Sequence, residues 1–164
     1  GTDDGAHMTT GLEHDELGSR TEDTEMRVKQ VDKRDRKVET AKQRESWQPR
    51  EFGDAEADTL VLSWGSNEGA MVEAIEMLAD DGIDVRFMSV PYIFPRPELT
   101  DAIDAAEDVL VVECNSTGQF ADLIEHDALV RVNRINKYNG VRFTADELAD
   151  RISGALTEAP EVPQ

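Results

Sequence analysis

A chain of 164 residues is long enough for one ordinary domain and an extension, but not for two full-sized domains. It has neither the roughly 18 consecutive apolar residues of a membrane span nor the apolar N-terminal stretch of a secretory signal, so a cytoplasmic protein with no membrane partner is expected. Its 36 acidic against 17 basic residues give a net charge of -19, which repels phosphate backbones and argues against nucleic acid.

The charge is unevenly spread. Residues 1–53 carry 10 basic and 13 acidic side chains, a net of -3, whereas residues 54–164 carry 7 and 23, a net of -16. Dense carboxylates of this kind keep a surface hydrated, and their repulsion is screened within a few ångströms at molar salt, so the composition fits a salt-adapted, haloarchaeal-like source. The single cysteine, Cys114, excludes an intrachain disulfide, a four-thiolate zinc site and an iron–sulfur cluster held by this chain alone. It follows the apolar run Val109-Leu110-Val111-Val112, which predicts a buried, inert thiol at a strand end.

In chain order, residues 1–20 are polar and lack periodicity, and read as loop. From Thr24 to about Trp47 charges alternate densely, with Glu25/Lys29 and Asp32/Arg36 at the spacing of a solvated helix. Val28, Val31 and Val38 give it only a narrow apolar stripe, so it is either an exposed linker or a helix that packs on a partner subunit. Pro49 and Gly53 punctuate the chain before a compact part begins at residue 54.

From there short apolar runs alternate with amphipathic segments. Thr59–Trp64 reads as a buried strand, and Met71, Val72, Ile75, Met77 and Leu78 mark a helix ended by Asp80-Asp81-Gly82. Val85–Val90 is a second strand. Pro91, Pro95 and Pro97 interrupt the next connection, and Pro97 is placed to open a short helix over Glu98–Ala106. Val109–Glu113 is a third strand, expected at the centre of the sheet because nothing polar interrupts it. A helix carrying Phe120, Leu123 and Ile124 follows, then a weaker strand at Val130–Ile135. The last helix is Thr144–Leu156, where Thr144 and Glu147 have capping-box spacing. Strand and helix in alternation imply right-handed crossovers and a three-layer α/β domain with a mostly parallel sheet over residues 54–156. Residues 157–164, with Pro160 and Pro163, are expected to be a disordered tail.

Parallel sheets bind ligands beyond the carboxyl ends of their strands. Two loops qualify: Gly65, Ser66, Asn67 and Glu68 after the first strand, and Asn115, Ser116, Thr117, Gly118 and Gln119 after the third. If those strands adjoin, the loops lie side by side and form either a ligand cradle or an interface. The first loop has no Lys after Gly69 and no three-glycine spacing, and Glu68 opposes phosphate. The structural alternative is that Ser66, Asn67, Ser116 and Thr117 only cap helices. The cluster Glu13, His14, Asp15 and Glu16 is the one stretch with metal-ligand residue types, but consecutive side chains diverge, and no metal site is assigned to it. His126, at a helix end among acids, is read as stabilising that terminus. No catalytic residue can be nominated.

These segments, in this order, resemble the alpha subunit of 2-oxoacid:ferredoxin oxidoreductases. Thr10-Gly11-Leu12-Glu13-His14-Asp15-Glu16-Leu17-Gly18 and the charged helix with Lys33-Arg34-Asp35-Arg36-Lys37 are similar to the family's junction segment. Trp64-Gly65-Ser66-Asn67-Glu68-Gly69, Tyr92-Ile93-Phe94-Pro95-Arg96-Pro97, Glu113-Cys114-Asn115-Ser116-Thr117-Gly118-Gln119 and Lys137-Tyr138-Asn139-Gly140 resemble successive motifs of its transketolase-C-terminal-like domain. The resemblance implies a fold: a transketolase C-terminal-domain-like α/β layer structure preceded by a loop and a charged helix. It also implies a role in an enzyme that uses thiamine diphosphate, Mg2+, an iron–sulfur cluster and coenzyme A to decarboxylate pyruvate or 2-oxoglutarate and reduce ferredoxin. The implied partners are a beta subunit and, through the assembled enzyme, ferredoxin. None of the cofactors is implied on this chain, whose isolated form is expected to be inactive. The competing expectation is a free-standing α/β module that binds a small anion or nucleotide.

Overall fold

A computed structural model describes residues 3–157, so the tail expected at the C-terminus lies outside the described residues except for Thr157. The chain forms two compact units, one ending at Arg44 and one beginning at Glu45.

The first unit pairs two short antiparallel strands, β1 (Glu13–His14) and β2 (Arg20–Thr21), and adds the helix α1 (Thr24–Lys42). Asp23 caps α1, its carboxylate accepting from the Met26 amide at 2.8 Å. The helix is shorter than the charge pattern predicted and buries no residue, and Val28 is 59% exposed. It is held by polar contacts instead. Glu13 on β1 receives both guanidinium nitrogens of Arg34, at 2.9 and 2.8 Å, and a further contact from Arg27. Arg27 and Arg34 are seven residues apart, two helical turns, so both reach the same carboxylate.

The second unit is a five-stranded sheet with the order β3-β5-β4-β6-β7. Its strands are β3 (Arg50–Gly53), β4 (Thr59–Trp64), β5 (Arg86–Val90), β6 (Asp108–Glu113) and β7 (Asn133–Asn136). Neighbours are parallel except that β3 runs antiparallel to β5. The sheet is therefore mostly parallel, as expected, and β6 lies between β4 and β7. The edge strand β3 occupies residues that read as linker punctuation.

Alternation along the strands feeds two cores. Val61, Phe87, Leu110 and Val112 point to one face, where α2 (Glu68–Asp80) and α5 (Ala145–Thr157) supply Met71, Ile75, Leu78, Leu148 and Ile152. Leu60, Leu62, Met88, Val109 and Val111 point to the other, against Leu99, Ile103, Phe120 and Ile124 from the segment around α3 (Thr100–Ala105) and from α4 (Gln119–Ala128). The helix α3 begins after Leu99, so Pro97 lies outside it, and Glu98 accepts from the Thr100 amide at 3.2 Å. The proline-bearing connection before it is pinned by Trp47. That indole donates to Pro95 O at 2.8 Å and stacks on Tyr92 with 3.8 Å between ring centroids.

Two backbone positions tie these elements. Gly53 ends β3 at φ +79°, with Val85 O 2.1 Å from where a Cβ would stand, and the following Asp54 amide donates to that carbonyl at 3.1 Å. At α5 the Glu147 amide reaches Thr144 Oγ1 at 3.3 Å, as capping-box spacing predicts, but the Glu147 carboxylate turns to Lys137 and Arg151. Hydrogen bonding from the buried Lys137 holds the Glu147 carboxyl below its usual range.

Candidate functional site

Because β4 and β6 are neighbours, their carboxyl ends bring the loops at 65–67 and 114–118 together. A chain of hydrogen bonds stitches them. Ser63 Oγ donates to Val112 O at 2.7 Å, Asn67 Nδ2 donates to Ser63 Oγ at 3.1 Å, and Cys114 Sγ donates to Asn67 Oδ1 at 3.3 Å. Ser63 is 1% and Asn67 5% exposed, so this link is built into the interior.

The reading of these residues as helix caps is not borne out. Asn67 precedes α2 without a capping side-chain bond, and α4 starts after Gly118, which sits in the left-handed region at φ +70°. The cap of α4 is Glu113, whose side chain is fully buried. Its Oε2 accepts from the Phe120 amide and its Oε1 from the Ala121 amide, each at 3.0 Å, and the Asn115 amide group donates to Oε2 as well. A carboxylate placed against free N–H groups and the positive end of a helix is stabilised by both. Asn115 Oδ1 meanwhile accepts from the Thr117 and Gly118 amides at 3.1 and 2.6 Å, and Asn136 at the end of β7 donates to Asn115 O at 2.9 Å.

Cys114 is exposed, contrary to the expectation of a buried thiol. The strand ends at Glu113, and it is Glu113 that turns inward, leaving its neighbour to point out. Gly65, Ser66, Thr117 and Gln119 are exposed too, while Glu68 is held by Arg50 of β3 at 2.5 Å. The result is a polar, cation-poor surface. The Phe120 and Ala121 amides at the start of α4, which an anion would need, are already spent on Glu113.

In the first unit the junction residues part company. Glu13 binds Arg27 and Arg34, the His14 ring lies against Met8 O, and Asp15 Oδ1 accepts from the Leu17 and Ser19 amides at 2.9 Å each. Hydrogen bonding to Arg34, seconded by Arg27, lowers the Glu13 pKa to about 2 from an ordinary 4.5. A depressed folded-state pKa adds stability in full above the ordinary value and loses it as pH falls through the folded one. The contact between β1 and α1 is therefore expected to persist when pH drops through 4.5 and to fail near 2. Carboxyl-carbon chemical shifts of Glu13 followed by NMR will report its midpoint, and a midpoint near 4.5 refutes the arginine clamp.

Residues 57–148, more than half of the chain, match the family model for pyruvate:ferredoxin oxidoreductase core domain II. The chain belongs to that family. It is 35% identical over 159 residues to the 2-oxoacid:ferredoxin oxidoreductase 2, subunit alpha, of Aeropyrum pernix, across 94% of this chain and 25% of that protein. Among solved structures it is similar to the 2-oxoglutarate:ferredoxin oxidoreductase of Magnetococcus marinus, solved with 2-oxoglutarate, coenzyme A and succinyl-CoA bound. That likeness has a TM-score of 0.76 and 25% identity, over 93% of this chain and 27% of the other. A split-gene transketolase shares the fold, with a TM-score of 0.52 at 16% identity over 66% of this chain and 42% of the other. The chain thus spans about a quarter of the length of its oxidoreductase relatives. The strand-end loops and the segment Lys137–Gly140 fall inside the residues that match the family model, and the junction segment lies outside them. No helix among the described residues is long and apolar enough to cross a membrane.

Proposed function

We propose that this chain is the C-terminal part of the alpha subunit of a 2-oxoacid:ferredoxin oxidoreductase, and that its work there is architectural: it carries contacts with the beta subunit. The observation that carries the reading is the likeness to an alpha subunit over 94% of the chain. In this proposal the assembled cytoplasmic enzyme decarboxylates 2-oxoglutarate or pyruvate, passes electrons to ferredoxin and delivers the acyl group to coenzyme A. Thiamine diphosphate and Mg2+ are assigned to the assembly with the family reading, and so is the iron–sulfur cluster, because one thiol, Cys114, falls short of the cysteine set that holds it. The excess of carboxylates suits work at high salt.

The strand-end loops support contact better than ligand capture. A small-anion module needs free amides or a cation at that edge. Here Glu113 fills the α4 terminus, and Glu68 stands at the start of α2. Glycines and short polar side chains remain, the composition of a surface that a partner can approach closely.

Assembly tests the proposal. The full-length alpha subunit carrying this chain, mixed at high salt with its thiamine-dependent beta subunit, is expected to elute from size exclusion as a stable complex of the summed mass. An alpha subunit that folds but ignores the beta subunit overturns the reading.

A further inference from the structure

The carboxyl ends of β4, β5, β6 and β7 and the connections that leave them comprise residues 64–67, 91–97, 114–119 and 136–142. The strand register keeps these ends level, since Trp64 pairs with Val90, Ser63 with Val112 and Glu113 with Asn136. Four strands side by side make an edge about 14 Å across.

That edge is free of acid. Residues 54–164 hold 23 acidic side chains in 111 residues, so about five are expected among the 24 of the edge, yet there are none. The carboxylates that border it are turned away: Glu113 is buried, Glu68 faces Arg50, and Glu98 accepts from the Thr100 hydroxyl. Of the three basic residues on the edge, Arg96 is bound to Asp127 and Lys137 to Glu147, which leaves Arg142.

Aromatic residues gather where the acids are missing. Of the nine in the chain, the exposed ones are Trp64, Tyr92, Phe94 and Tyr138, and all four lie on this edge. Phe94 is 82% and Tyr138 72% exposed. Depletion of charge together with enrichment of Trp, Tyr and Phe is the composition of an interface centre. The extent fits as well: 20 of the 24 residues are exposed or half-buried, and an interface of standard size takes roughly 20–30 residues a side. The connections are also held in place. Trp47 binds Pro95 O and stacks on Tyr92, Asn136 donates to Asn115 O, and Lys137 Nζ donates to Arg142 O at 2.9 Å. Little conformational freedom is left for association to remove.

We infer that this edge pairs two copies of the chain, set edge to edge about a two-fold axis. Charge selects a second copy as the occupant. Two copies of a chain of -19 repel at range, and their approach costs least where neither presents a carboxylate. A two-fold contact also sets a surface against itself. Carboxylates cannot satisfy one another in that way, whereas rings stack on rings, and the side chains of Ser66, Asn115, Thr117 and Asn139 each offer a donor and an acceptor. The complementary surface is therefore present in the structure itself. Salt screens the repulsion and leaves the apolar contact intact, so the pairing tightens as salt rises. The inference goes beyond the alpha-subunit reading and does not depend on it.

Sedimentation equilibrium of the full 164-residue chain, from about 0.2 M to about 2 M potassium chloride, tests it. The mass is expected to move from 18.2 kDa to twice that value, with association about tenfold or more tighter at the highest salt. Phe94→Ser/Tyr138→Ser removes two exposed rings and is expected to weaken association about tenfold or more. Ser66→Asp/Asn139→Asp places carboxylates on the edge and is expected to keep the chain monomeric. Circular dichroism and the urea midpoint check that both variants fold as the parent does. Leu123→Ser, an exposed apolar position on α4 outside the edge, is expected to associate as the parent does. A mass of 18.2 kDa at every salt overturns the inference, as does a dimer that weakens with salt or that both edge variants leave unchanged. Edge amides that gain protection from hydrogen exchange only when the beta subunit is added also overturn it, and give the edge to that subunit. The alpha-subunit reading has its own test in beta-subunit binding, so either can fail alone.

Discussion

Replacing Glu113 with Ala is expected to destabilise the α/β unit by about 3–5 kcal/mol, a large part of the roughly 5–15 kcal/mol that holds a domain together. The substitution removes one acceptor group and strands three donors: the amides of Phe120 and Ala121 and the side-chain amide of Asn115. Phe120 is 1% exposed and Ala121 0%, so water does not replace the carboxylate without opening α4 from the sheet. Glu113→Gln preserves the shape but must turn an NH2 group toward an N–H donor, which costs about 2 kcal/mol. Urea unfolding of the purified protein gives both values. A shift below about 1 kcal/mol for Glu113→Ala shows that the carboxylate is not the main cap.

The second large effect is expected at Gly53. A side chain there must adopt φ +79°, and its Cβ meets Val85 O at 2.1 Å. The left-handed conformation costs Ala about 1–2 kcal/mol and relief of the backbone clash about 1–3 more, so Gly53→Ala is expected to lose about 3–4 kcal/mol. The damage falls at the junction of β3 with the chain around Val85, and hydrogen exchange of the β3 amides is expected to accelerate before that of β4 and β6. Uniform exchange across the sheet contradicts this.

Apolar runs made most of the sheet legible. Thr59–Trp64 and Asp108–Glu113 are buried at nearly every position, and a strand covered on both faces has few alternatives to an unbroken hydrophobic sequence. Arg50–Gly53 has only Phe52 to mark it, and its partner β5 lies more than 30 residues away, so nothing local announces a strand. The adjacency of the two strand-end loops was only a condition in the sequence, and it is met because the chain crosses back after β5 and places β6 on the other side of β4. The wiring between those loops did not follow. Glu113 looks like the polar end of a strand, yet a side chain one residue beyond an apolar run can turn either way, and only the return of α4 seven residues later makes the inward turn favourable. The error at Cys114 is the same one seen from its neighbour, because alternation along an extended chain sends one of the two outward.

Both margins of the five-stranded sheet are four residues long, and each carries an arginine: Arg50 on β3, which also bears Glu51, and Arg134 on β7, bound to Asp122 and Glu125. A neighbouring strand that tried to continue the ladder would find few unpaired backbone groups and would have to strip water from those charges. The sheet is closed to polymerisation at either end without being curled into a barrel. Association must then proceed through side chains on loops and helices, contacts that salt can tune and that can come apart without unravelling the fold.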